Sequence, residues 1–174
     1  MILALNSKIK IMTFIESFQK ELEREALTTR KMLERVPTDK FDWKPHEKSM
    51  SLKQLATHVA EIPTWLGMVL TTPEIDFASG YHPTEVADSK ELMGFFERSL
   101  EDGRNALANA NDEQLKDTWT MRSGDQIFAT DPKDEVLRGC FCQVVHHRAQ
   151  LGVYLRLLNV GIPGSYGPSA DEQF

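Results

Sequence analysis

The chain has 174 residues, 41% of them hydrophobic, enough for one domain, residues 1–174, with a substantial core. Its net charge of −6 and sequence pI of about 5.4 provide no basic footprint for nucleic acid or an anionic membrane surface. Small cationic or neutral partners suit that balance better.

The opening MILALNSKIKIM carries an apolar run of about five residues followed, not preceded, by lysines, unlike a signal peptide. No stretch reaches the ~20 apolar residues of a membrane span. A soluble, cytoplasmic chain is expected, with residues 1–12 as a loosely ordered extension. A first helix is predicted over Phe14 to Val36. Thr13 and Glu16 form a capping box, and Ile15, Phe18, Leu22, Ala26, Thr29, Leu33 and Val36 recur at helical spacing up to Pro37. A second is predicted over Leu52 to Leu70, opened by the Ser51–Gln54 capping box and bent by Pro63. A third runs from Ser89 to Ala110 behind Asp88 and Glu91. A fourth starts with Asp131 as cap and Pro132 in its first turn, and continues to Leu158.

The connections 37–50 and 71–87 hold several Pro and Gly and read as irregular. The segment TWTMRSGDQIFA alternates around Ser123-Gly124, as a small hairpin between the third and fourth helices would. The tail VGIPGSYGPSADEQF reads as packed coil. Together these predict an all-α fold, an antiparallel four-helix bundle with elaborated loops.

Two histidines stand out. His58 lies on the apolar stripe of the second helix, and His147 on that of the fourth. A core-facing imidazole needs a partner, because an unpaired buried polar group costs free energy. One metal ion would serve both rings. Gln143 precedes His147 by four residues and so points to the same side. With His58 across the bundle, it would leave open positions for water or substrate. A lone histidine on an apolar face is more often an ordinary core residue, and a glutamine amide is a poor ligand for first-row metals.

Glu61, three residues after His58, is a candidate base or ligand. His146 lies about 100° round the helix from His147, away from a shared ion. Cys140, one turn before Gln143, reads as a small core residue or a thiolate near the site. Its spacing from Cys142 points the two thiols to different helix faces and disfavours a disulfide between them. Arg148 and Gln150 read as surface pairs or as anchors for neighbouring loops. Trp43, Trp65 and Tyr154 are candidate pocket walls. No P-loop, dinucleotide fingerprint, nucleophile elbow or H-E-x-x-H motif is present.

The segments DWKPHEKSMSLKQLATHVAEIPTW, HHRAQLGVYLRLL and IPGSYGPSADE, in this order, resemble the DinB family of metalloproteins. The resemblance covers the chain from about Met12. It implies a four-helix bundle, often a homodimer, holding nickel or zinc through three histidines. Carried over, the first is His58 and the last His147; the middle position here is Gln143, a departure that weakens the site. It also implies chemistry on a small molecule: transfer of a low-molecular-weight thiol to an electrophile, or hydrolysis. The alternative is a non-catalytic, stress-related binding or scaffold bundle with a decayed metal site.

Overall fold

A computed structural model describes residues 12–173 of the chain. The expected N-terminal extension therefore lies, but for Met12, outside the described residues. Four helices dominate: α1 (Phe14–Leu33), α2 (Leu52–Thr71), α3 (Ser89–Ala108) and α4 (Lys133–Leu157). The expected all-α four-helix bundle is the architecture. Both capping boxes form: Thr13 accepts from the Glu16 amide at 3.1 Å, and Ser51 from the Gln54 amide at 3.2 Å. In each, the third helical residue's side chain returns the bond to the cap's own amide. Asp88 caps α3 through the Glu91 amide. α1 stops three residues before the expected Val36, because Arg35 and Val36 turn back to the Met32 and Leu33 carbonyls in tighter bonds before Pro37.

Side-chain contacts fix the helix directions. Glu23 and Arg30 of α1 meet Arg104 and Glu97 of α3, so these two run antiparallel. Leu70 of α2 meets Lys133 of α4, and Met50, just before α2, meets Tyr154, so this pair is antiparallel too. α2 and α3 instead run the same way: Gly103 sits under the Pro63 carbonyl and Gly67 against Ala106. α1 and α4 also run alike, with Glu25 against Arg148 and Met32 against Gly152. The order is up, down, down, up. The connection 72–88 must therefore travel the length of α2, and contacts from Tyr81 to Glu61 and Glu85 to Lys53 trace its path.

That connection is more ordered than expected. Its start forms β1 (Glu74–Asp76), which pairs in parallel with β2 (Thr118–Ser123). β2 pairs antiparallel with β3 (Gln126–Pro132), giving the expected hairpin. Gly124 takes the positive φ of 56° that a two-residue hairpin loop demands. The proposed cap of α4 needs correction. Asp131 belongs to β3, opposite Trp119, and Pro132 is itself the cap residue. The strand runs straight into the helix, and the Lys133 amide bonds the Asp117 carbonyl at 2.8 Å, so no side-chain cap forms.

The core fills the space between the helices, from Leu33 and Leu55 to Leu92, Leu107, Leu137 and Leu151. Trp119, 2% exposed, ties the hairpin to the end of α2 through its indole N–H to Thr72 Oγ1 at 3.2 Å.

Candidate functional site

Helical periodicity places His58 and His147 on facing sides of α2 and α4. Their rings stand 4.6 Å apart between centroids, at 77° to each other. The His147 ring is held by a neighbour on its own helix. The Gln150 side-chain oxygen accepts from His147 Nδ1 at 2.9 Å, which places the proton on Nδ1 and leaves Nε2 with a lone pair. His58 Nδ1 faces Glu61 Oε2 at 3.8 Å. Burial, reinforced by the neighbouring charges of His58 and His146, holds the His147 pKa below the usual histidine value. A neutral ring is the state a metal requires.

Glu61 is more committed than its sequence position implies. It accepts the Tyr81 hydroxyl at 2.9 Å while facing His58. Burial and this hydrogen bond push the Tyr81 pKa up to about 12, so the phenol stays a donor. Tyr81 comes from the crossover connection, and nothing in local spacing marked it.

The rings also allow a test of fit. An imidazole nitrogen about 2.1 Å from an ion puts its ring centre about 3.2 Å from that ion. Two nitrogens at 90° on one ion would then put their ring centres about 4.6 Å apart, and at the tetrahedral angle about 5.3 Å. The observed 4.6 Å, an edge-to-face contact of the two rings, falls at the lower of these. Among the described residues no group of three His, Cys, Asp or Glu side chains gathers around one point. Gln143, one turn before His147, is exposed, and its amide would add no charge and little affinity to an ion there. His146 is exposed, with its ring 4.8 Å from that of His147.

A cavity of about 450 Å³ opens beside this corner, between α2, α4 and the hairpin. His58 and Gln143 both line it. Trp65 walls it as expected, whereas Trp43 and Tyr154 stack edge to face at 5.5 Å and do not line it. Cys140 lines it too, but burial pushes its pKa up to about 12, so it is a thiol and not the thiolate considered from sequence. The hairpin supplies a roof that helix reading missed. Trp119, Met121, Ala129 and Asp131 alternate along β2 and β3 and so share one face, and all four line the cavity. The alternation was visible in the sequence; the packing of that face over α4 was not.

Arg148 is buried, not a surface residue. Its guanidinium bonds Glu25 Oε2 at 2.6 Å, Thr29 Oγ1 at 3.0 Å and the Tyr166 hydroxyl at 2.9 Å, and so anchors the tail.

Among the described residues no helix is long and apolar enough to cross a membrane. The protein YrdA of Bacillus subtilis (strain 168), itself uncharacterized, is 23% identical over 162 residues, covering 91% of both chains. Two crystal structures share the fold. A DinB-like protein of Bacillus cereus has a TM-score of 0.68 at 21% identity, covering 88% of this chain and 97% of its own. A DinB-like protein of Bacillus subtilis has a TM-score of 0.67 at 18% identity, covering 91% of this chain and 99% of its own. The model of the DinB family matches residues 9–173, almost the whole length, and the chain belongs to the DinB family.

Proposed function

We propose that this chain is a metal-dependent enzyme acting on a small molecule, with His58, Gln143 and His147 holding one nickel or zinc ion. The observation that carries this reading is the 4.6 Å separation of the two histidine rings at the edge of a cavity. Bound there, an ion would supply Lewis acidity, which would lower the pKa of a low-molecular-weight thiol and favour its transfer to an electrophile. Gln150 orients His147 by taking its Nδ1 proton in a hydrogen bond. Tyr81 holds the Glu61 carboxylate in place, 3.8 Å from His58 Nδ1, where its charge favours the ring facing it. That assignment replaces a base role for Glu61, whose carboxylate already accepts the Tyr81 hydroxyl. Trp65, Trp119 and Met121 give the cavity apolar walls that exclude water.

The second reading, a non-catalytic bundle with a decayed site, is favoured by Gln143, the neutral amide in the middle position. Metal analysis of protein purified without a polyhistidine tag separates the two. The enzyme reading expects roughly one ion per chain after soaking with nickel or zinc, lost in both His58→Ala and His147→Ala. It expects Gln143→His to tighten binding by about tenfold or more. Stoichiometry near zero in the soaked wild type would favour the decayed site.

A further inference from the structure

The cavity beside the histidine corner carries three charged side chains with no assigned task. Asp131 comes from β3, and Glu135 and Arg138 from the first turns of α4; all three line the cavity. None of these side chains makes a hydrogen bond or an ion pair with another described residue. For Glu135 and Arg138 this matters, because residues three apart on a helix lie within pairing distance. All three residues are exposed to solvent, and two acids with one base around one cavity match a ligand carrying both charges.

Gly139 is the independent sign that the space is built for an occupant. It sits inside α4, where glycine is less favourable than alanine by about 1 kcal/mol. Packing does not demand it: a Cβ added there would meet no atom within 4 Å. Gly139 lines the cavity, on the same stripe as Glu135 and Gln143, four residues away on either side. The missing side chain widens the cavity and relieves no clash.

We propose that this cavity binds a small zwitterion of the α-amino-acid type. Its ammonium lies between Asp131 and Glu135, and its carboxylate lies on the Arg138 guanidinium, whose planar fork suits a carboxylate. Its apolar body rests on Trp65, Trp119 and Met121, in the space Gly139 leaves open. The inference rests on the function proposed above in one respect: it takes the histidine corner at the cavity's edge as the place where such a ligand is transformed.

A matched probe series tests it. L-Phenylalanine carries both charges, 2-phenylethylamine lacks the carboxylate and 3-phenylpropanoate lacks the ammonium. Binding to the chelator-treated chain is followed by calorimetry and by quenching of tryptophan fluorescence, so that chelation of a metal by the probe does not contribute. L-Phenylalanine is expected to bind at least about tenfold more tightly than either partner, as one charge-assisted contact requires. Arg138→Gln should erase its advantage over the amine, and Asp131→Asn with Glu135→Gln its advantage over the acid. Gly139→Leu should abolish binding of all three probes while keeping the wild-type melting temperature and metal uptake. Equal binding of the three probes, or no binding of L-phenylalanine, in a chain that loads nickel or zinc overturns the inference and leaves the metal reading standing. Selective L-phenylalanine binding in a chain that takes up no metal upholds the cavity and removes the reaction centre.

Discussion

At the scale of single residues, the two cysteines give a sharp contrast. Cys140 is buried and its thiol is pushed up to about 12, while Cys142, two positions on, is exposed. Burial disfavours the thiolate, which is the reactive form, so Cys140 is a thiol at neutral and mildly alkaline pH. Alkylation of the native protein at pH 8 is expected to modify Cys142 alone. Cys140 should react only when denaturant is added, and equal labelling of both in the folded chain would contradict the buried placement. The sequence located His58 and His147 because each lies on a helical stripe whose period is set locally. It did not locate Tyr81, Asp131 or Arg138 as members of the site. Their place depends on a crossover connection and on a hairpin folding back over α4, which no local spacing encodes.

At the scale of elements, α1, α4 and the tail are locked by one buried cluster. Glu25 and Arg148 are 3% and 2% exposed, and Tyr166 donates to the Glu25 carboxylate at 2.8 Å. Glu172 accepts the Gly164 amide at 2.8 Å and Asp171 the Ile162 amide at 2.9 Å, which folds the tail on itself, and the same carboxylates pair with Lys31 of α1 and Arg156 of α4. A buried ion pair is weak evidence for stability, yet removing one partner strands the other charge at a cost of about 3–5 kcal/mol. Arg148→Ala is expected to lose about that much in urea unfolding, whereas Tyr166→Phe, which keeps the pair, should lose only about 1–2 kcal/mol. Replacing both partners, as Glu25→Met with Arg148→Leu, should recover most of the loss; a double variant as unstable as Arg148→Ala would show that packing, not the stranded charge, sets the cost. Local chemistry predicted the helix starts well wherever a side chain does the capping, as at Thr13, Ser51 and Asp88. It misassigned Asp131 because the fourth helix begins from a strand whose amide partner, the Asp117 carbonyl, lies across the sheet.

At the scale of the whole molecule, the up, down, down, up order sets which helix faces stay uncovered. α4 packs on α2 and α1, yet Val153 and Leu157, one turn apart on its outer side, are 59% and 58% exposed. Met50 extends this apolar strip at 45%, held beside α4 by the bond from the Tyr154 hydroxyl to its carbonyl. The direction of α3 was not readable from the helix pattern, since an amphipathic stripe records which face is buried but not which way the neighbour runs. If the chain forms the homodimer that the resemblance implies, this strip is the contact it offers. In a two-fold dimer the same patch meets its own copy, so apolar residues facing apolar residues make the contact self-complementary. Light scattering at micromolar concentration is expected to give twice the 19.8 kDa chain mass. Val153→Glu with Leu157→Glu should halve that mass, because four carboxylates brought together on a closed interface repel and lose their hydration. The same pair of changes should leave the melting curve of the isolated chain nearly unmoved, since both side chains already face water there. A wild-type mass of one chain would contradict the dimer, and a glutamate variant that stays dimeric would place the contact elsewhere on the bundle.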